Sequence, residues 1–414
     1  MNELFFELIR VAIGTQEQLS RVPSKKEWGR LFKMAERQRL LGICFYGLKK
    51  VASPKYDNDD DIIEDEGRKT KDEGHNDRKI SIPGELYDYW LGTAALIQQQ
   101  NQKVNRQCVE VQEKIEEEGF RTYIMKGQGN AVLYDETRRT KDEKLDYDHD
   151  FDHDRKSDDL ALLRQAGDID IYLEGGFKNV MNFVNRTYPT NEVNELEIHY
   201  HCLKDTEVEI HYRPFIMRNP FRNRKLQQFF LSENEACFKN KVTLPKDVGS
   251  ITVPTTKFNI IHQMAHIYHH LFTEGIGMRQ VMDYYFVLQS RRPTPNPSLH
   301  SEGNIKGTLR ELGLTKFAQA LMWILQYVFH LEEKFLICKP NEKDGRFLLG
   351  EIMRAGNFGK FDDRLSRGKV SKWQSFWRVN KRNLRLLRFN HWDWFWGPLW
   401  RSYHFVWRKL HGFV

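Results

Sequence analysis

The chain reads as an α+β protein, with a small mixed β-sheet carrying packed helices and a helical domain behind it. Three observations predict this. Short runs between residues 121 and 212 are β-branched, or alternate apolar with acidic residues, and helical stripes lie around them, the pattern of strands in a half-buried sheet. Strand signals stop after Pro254, where apolar residues recur at threes and fours instead. At 414 residues the chain exceeds one ordinary domain and suits two or three.

The first fifty residues carry helical patterns, at Leu4, Phe5, Leu8, Ile9 and Ala12 and again at Leu41, Ile43, Phe45, Tyr46 and Leu48. Residues 57–79 are dense in Asp, Glu, Lys and Gly. With so little apolar surface they cannot offset their ordering entropy, which predicts a mobile insertion. Residues 1–82 therefore form an N-terminal helical region. Pro83 opens a long helix whose stripe is Leu86, Trp90, Ile97, Val104, Cys108, Val111 and Ile115, with Gly119 at the expected C-terminal cap.

Residues 121–125 are predicted as a strand that runs into Lys126-Gly127-Gln128-Gly129, and 130–134 as the start of a helix. A strand, a glycine turn and a helix start bring backbone N–H groups toward an anion. Residues 135–159 are a second acidic insertion. Its Asp148, Asp150, Asp152 and Asp154 imitate a calcium loop, but His153 stands where such a loop needs glycine and Asp159 where it needs glutamate. Next come a strand at 168–173, a helix at 177–184, and a hairpin of 196–203 with 206–212 turning at Lys204-Asp205. This gives a mixed α/β unit over 83–255, a helical domain over 256–360 with helices at 258–272, 278–290 and 315–331, and a basic, Trp-rich segment over 361–414.

Composition narrows the function classes. Hydrophobic residues make up 40% and aromatics 13%, while mean hydropathy is −0.66. No apolar run reaches the roughly 20 residues that span a bilayer. The opening segment mixes Glu3, Glu7 and Arg10 into its apolar stripe, unlike a secretion signal, so a cytoplasmic location is expected. Cys44, Cys108, Cys202, Cys237 and Cys338 are scattered without metal-ligand spacing, as reduced thiols would be. Residues 364–414 hold 12 Lys or Arg against the one acid Asp393, a net +11 in a chain of +7, which leaves −4 for the rest. With Trp373, Trp377, Trp392, Trp394, Trp396, Trp400 and Trp407 interleaved, that segment suits packing on the helical domain, an anionic membrane surface or a nucleic acid.

The chemistry concentrates at Gly167-Asp168-Ile169-Asp170 and at Glu207-Val208-Glu209-Ile210-His211. Residues two apart on a strand face the same way, so Asp168 and Asp170 converge on one point that Glu209 approaches from a second strand. Glu207 shares its face and is a rival. Clustered carboxylate oxygens suit Mg²⁺, with Mn²⁺ as the alternative ion, and substrate phosphates complete such a site. That points to metal-assisted transfer from a nucleoside triphosphate. His199, His201 and His211 on the hairpin, and His262, His266, His269 and His270 on a helix, read as packed or hydrogen-bonded histidines rather than zinc ligands. Arg279 and Asp283 are spaced for an intrahelical pair.

Four stretches in order resemble the DNA polymerase β-like nucleotidyltransferase superfamily, and more closely its uncharacterised bacterial branch. They are Met125-Lys126-Gly127 with 131–134, Arg164-Gln165-Ala166-Gly167-Asp168-Ile169-Asp170-Ile171, Val208-Glu209-Ile210-His211-Tyr212-Arg213, and His266 with Met278-Arg279-Gln280-Val281-Met282-Asp283. The likeness spans roughly 83–290. It departs from the wider superfamily in carrying Lys126-Gly127 where a Gly-Ser pair meets the triphosphate, and from the branch in the length of 135–159. The resemblance implies transfer of a nucleoside monophosphate to a hydroxyl of a small molecule, glycan or protein. Asp168, Asp170 and Glu209 would be the catalytic and metal-holding residues, and Lys126, Gly127, Gly129, Arg164 and Gly167 the substrate-binding ones. The alternatives are a non-catalytic binding or regulatory module with the same fold, and a tRNA-type end-tailoring enzyme.

Overall fold

The computed structural model describes residues 2–56, 80–134, 160–291, 305–362, 364, 372–389 and 391–413. The insertions at 57–79 and 135–159, with the acidic run 148–154, lie outside the described residues.

The N-terminal region folds as α1 (Asn2–Ile13), α2 (Lys25–Arg37) and α3 (Leu41–Val51). Ser24 caps α2 in a reciprocal box with Glu27, whose carboxylate accepts the Ser24 N–H at 3.0 Å. Two short parallel strands, β1 (Ala52–Lys55) and β2 (Ile80–Pro83), then bracket the first insertion. They escaped the sequence reading because each is only four residues long and finds its partner across that insertion. The long α4 (Gly84–Glu117) follows, and it serves two cores. Trp90, Ala94 and Ile97 join the helical core, which also takes in α1 and α3, whereas Val104, Cys108, Val111 and Ile115 lie under the sheet.

The central sheet contains β3 (Thr122–Ile124), β4 (Ile169–Leu173), β5 (Glu197–His199) and β6 (Val208–His211), in the spatial order β3-β4-β6-β5. β4 and β6 run parallel, and β3 and β5 flank them antiparallel. Between these strands lie α5 (Gln128–Ala131), α6 (Leu160–Leu163) and α7 (Gly176–Thr187). β5 is shorter than the alternation predicts, because Cys202 N turns back onto the Tyr200 carbonyl at 2.8 Å and ends the ladder.

Strand alternation gives the sheet two unlike faces. Ile124, Ile169, Ile171, Leu173, Ile198, Val208 and Ile210 pack on α4 and on Val180, Phe183 and Val184 of α7. The opposite face carries Asp170 beside Glu209, Tyr172 beside His211, Glu197 beside His211 and His199 beside Glu209. Such a polar face is costly to bury unless its groups are paired.

Beyond the sheet come α8 (Pro220–Cys237), the small hairpin of β7 (Lys241–Thr243) and β8 (Ser250–Thr252), then α9 (Thr256–Thr273), α10 (Met278–Gln289), α11 (Ile305–Glu311), α12 (Thr315–Phe329) and α13 (Glu342–Ala355). α9 and α10 are buried on nearly every side. The N-terminal helices share this core, and Arg10 Nε donates to the Val328 carbonyl at 3.0 Å. Last are α14 (Lys372–Leu384) and α15 (His391–Leu410). One face of α15 docks through Trp400, whose Nε1 donates to Glu195 at 3.0 Å, and Trp407, whose ring meets Phe177 at 5.6 Å. Phe395, Leu399, Tyr403, Val406 and Leu410 remain exposed on the other. Among the described residues no helix is long and apolar enough to cross a membrane.

Candidate active site

Asp170 and Glu209 stand opposite one another on parallel neighbours, Asp170 being the register partner of Glu209. Their side chains therefore leave the sheet on the same side. They floor a cleft of about 430 Å³ whose walls come from the Lys126 turn, the Gly167-Asp168 approach to β4, α9 and α10. Asp168 sits at the rim, open to solvent on one side and lining the cleft on the other. Glu207, the rival third acid, is half-exposed and contacts His199 Nδ1 at 2.5 Å, so Glu209 is the acid that faces Asp170.

Positive charge is supplied from two sides. Lys126 Nζ lies 2.7 Å from Asp170 Oδ1 and 3.1 Å from His266 Nε2. His211 Nε2 lies 3.1 Å from Asp170, 3.2 Å from Glu197 and 3.7 Å from Glu209. Three carboxylates thus surround one imidazole nitrogen. Burial resists charge here, but Lys126 and His211 together hold the Asp170 carboxyl well below its ordinary range. Glu209 is pushed up to about 7 by partial burial first and then by the Asp170 and Glu197 charges, against the pull of His211. His211 goes up to about 9 against its burial, through Glu197 first and then Asp170 and Glu209. Partial burial and the Asp170 charge raise Asp168, and the Asp170 and Glu209 charges raise Lys126 against its own burial.

The residues suit a divalent cation. Ligand atoms of Asp170, Glu209 and His211 all lie within 4.8 Å of one another, and so do those of Glu197, His199 and Glu209. The donors are mainly carboxylate oxygens, as a hard ion requires. Among the described residues, His262, His266 and His270 of α9 form no such group with acids; His262 Nε2 meets the Pro214 carbonyl at 3.2 Å, and His266 Nε2 meets His270 Nε2 at 3.0 Å.

The remaining sequence candidates divide. Gly127 lines the cleft at φ +59°, a backbone angle that favours glycine, and Gly167 lines it beside Arg279. Gly129 is buried behind the turn, and its N–H donates to the Lys126 carbonyl at 3.1 Å. Arg164 reaches the cleft wall, but its Nε and Nη2 each donate to Asp283 at 2.7 Å. Asp283 also accepts from Tyr134 Oη at 2.7 Å. This corrects the expected Arg279–Asp283 pair, since both Asp283 oxygens are engaged by Arg164 from another element. Sequence reasoning missed Glu197, which the hairpin register would have found opposite His211, Gln280, which stands unassigned within the stretch 278–283, and Gln263, which nothing in the sequence marks.

Residues 160–330 match the model of a family described as uncharacterised nucleotidyltransferase. The matched stretch contains Arg164, Asp168, Asp170, Glu209, His211 and Arg279, and it begins after Lys126. It agrees with the resemblance carried by the Gly-Asp-x-Asp and Val-Glu-Ile-His segments. No curated protein and no solved structure matches the chain.

Proposed function

We propose that the chain is a cytoplasmic, divalent-metal-dependent nucleotidyltransferase that moves a nucleoside monophosphate from a nucleoside triphosphate to a hydroxyl of a small molecule, glycan or protein. One observation carries this reading: Asp170 and Glu209 are in register on adjacent parallel strands at the floor of a cleft, with Asp168 at its rim. The family matched by residues 160–330 supports the same class of transfer.

Asp168, Asp170 and Glu209 would hold Mg²⁺ or Mn²⁺, which when bound supplies charge neutralisation and acidifies a nearby hydroxyl. Glu209, opposite Asp170 at the floor of the cleft, is placed to take the proton of the acceptor hydroxyl. The acceptor oxygen forms a bond to the α-phosphorus, the bond to the bridging oxygen breaks, and pyrophosphate leaves. Lys126 and the Gly127 turn border the space for the phosphates, and Lys126 keeps Asp170 ionised. His211, fixed between Asp170 and Glu197, positions the carboxylates.

Incubation with each radiolabelled triphosphate, Mg²⁺ and a cell extract tests the proposal. Label should pass to one class of acceptor, and the Asp168→Asn/Asp170→Asn double variant should abolish it. Failure of every combination with folded protein would remove the enzymatic reading.

A second reading, a non-catalytic module, draws on the Lys126–Asp170 contact, which neutralises the carboxylate from within the chain. It requires that calorimetry with Mg²⁺ detect no triphosphate binding. A tRNA end-tailoring activity would show as labelled tRNA in the same assay. For the C-terminal segment the partners proposed are an anionic lipid surface or a nucleic acid, because its outward side chains mix the aliphatics Leu399, Val406 and Leu410 with the aromatics Phe395 and Tyr403 among basic residues. Flotation with vesicles of phosphatidylglycerol and phosphatidylcholine, against an RNA-binding control, tests that choice.

A further inference from the structure

We infer that the cleft contains a binding site for a phosphate oxyanion, built from the guanidinium of Arg279 and the side-chain amides of Gln263 and Gln280. In the reaction proposed above, the occupant would be the terminal phosphates of the triphosphate. That assignment rests on the nucleotidyl-transfer reading, whereas the anion site does not.

Arg279 is 9% exposed, in the first turn of α10. Its Nη1 donates to the Gln165 carbonyl at 3.0 Å, and its Nε has no partner. Among the described residues no carboxylate lies within 4.0 Å of it. The acid that its own helix would offer one turn on, Asp283, is taken by Arg164 at both oxygens. Two buried arginines therefore stand side by side, Arg164 in contact with a carboxylate and Arg279 feeling the Asp168 and Asp283 charges only from a distance. A buried cation left unpaired is costly, and proteins retain one where a ligand completes it. Burial and the Arg164 charge, only partly offset by Asp283, bring the Arg279 guanidinium down to about 10, in keeping with that geometry.

Two neutral donors repeat the pattern. Gln263 and Gln280 are 4% and 6% exposed, and the Nε2 of each has no partner. The Gln280 amide is held in place because its Oε1 accepts the Gly277 N–H at 3.0 Å. All three side chains line the cleft that holds Asp168, Asp170 and Glu209. A methyl group added at Gly167 would lie 3.7 Å from Arg279 Nη1 and 3.9 Å from Nη2, so the guanidinium abuts the turn into the acidic strand. Unmet donors lining one cleft with a planar cation call for a ligand that only accepts and carries negative charge, and a phosphate group fits that description.

The test measures binding of sodium pyrophosphate and inorganic phosphate by calorimetry, in EDTA, to the wild-type chain and to Arg279→Met and Arg279→Lys. We expect pyrophosphate to bind the wild type, to lose at least about 10-fold in affinity with Arg279→Met, and to fall between with Arg279→Lys, which keeps the charge but not the planar fork. Without ligand, Arg279→Met should melt at or above the wild-type temperature, because it deletes an incompletely compensated charge; a structural arginine would give the opposite. Gln263→Leu and Gln280→Leu provide the same binding readout should Arg279→Met fail to fold. Pyrophosphate binding that is absent in the wild type, or unchanged in all four variants, overturns the site whether or not nucleotidyl transfer is seen. A non-hydrolysable nucleoside triphosphate should displace pyrophosphate; simultaneous binding of both would overturn the assignment to the donor, and would point to a phosphate on the acceptor instead.

Discussion

The guanidinium of Arg164 grips the carboxylate of Asp283 at two points, each 2.7 Å, across 119 residues of sequence. Both side chains are almost fully buried, at 4% and 6% exposure. The pair ties the segment leading into the acidic strand to α10, so it fixes the distance between the carboxylates and Arg279. Breaking it by Arg164→Met leaves a buried carboxylate without its cation, and should cost about 3–5 kcal/mol. The double variant Arg164→Met/Asp283→Leu should recover most of that loss, short of the Tyr134 hydrogen bond. Urea midpoints measure both, and a loss below about 1 kcal/mol for the single variant would contradict the account.

Asp170→Asn removes the carboxylate that Glu209 faces and that Lys126 and His211 neutralise. Transfer should fall on the order of 10²–10³-fold, as loss of a group aimed at developing charge does. Mn²⁺ affinity, followed by electron paramagnetic resonance, should drop at least about 10-fold. Glu207→Gln is the contrast. Its carboxylate is half-exposed against His199, so transfer should stay within about 2-fold of wild type; an equal loss in both variants would mean that the strand register has been misread.

Much of this arrangement is legible before any coordinates. Period-2 alternation in Asp168-Ile169-Asp170-Ile171 and Val208-Glu209-Ile210-His211 specifies an acidic face and an apolar face; Asp170, Glu209 and the isoleucines take those faces, and Asp168 lies one residue before β4. The three- and four-residue spacings likewise mark α4, α9 and α10. What escapes is pairing between distant segments. Asp283 has two arginines available to it, and sequence spacing favours Arg279, one helical turn away, whereas packing delivers Arg164. Gly129 looks equivalent to Gly127 on the chain, yet only the latter meets the cleft. β1 and β2 are invisible because each is four residues long and gains its partner from across the first insertion.

Stability should decline in mild acid because α9 buries histidines in the neutral form. Burial first, then the Lys126 and His211 charges, bring His262 down to about 3, and His266 and His269 are also lowered, chiefly by burial. For a group whose folded pKa lies below its unfolded value of 6.5, the unfolded chain binds the extra proton. The stability it lends is therefore complete above pH 6.5 and is lost progressively as pH falls toward 3. The urea midpoint should drop between pH 7 and pH 5, and His262→Asn, which can still donate to the Pro214 carbonyl, should flatten that slope. A midpoint that rises on acidification would contradict this.

The two glycines of the Lys126 turn should respond differently to alanine. At Gly127 the obstacle is the backbone angle, φ +59° with ψ −111°, which an L side chain adopts at a cost on the order of 1–3 kcal/mol. At Gly129 the obstacle is space, because a Cβ would stand 2.7 Å from the Ile124 carbonyl oxygen. Main-chain atoms on both sides cannot give way singly, so the turn must shift as a unit and take Lys126 with it. Lys126 Nζ would then leave its 2.7 Å contact with Asp170. Gly129→Ala should therefore impair transfer beyond its loss of stability, even though residue 129 does not line the cleft. Gly127→Ala tests the same coupling from the cleft side. Thermal melting alongside initial transfer rates separates the two effects: a Gly129→Ala variant that melts lower yet transfers at the wild-type rate would show that the turn does not hold Lys126 in register with the acidic strand.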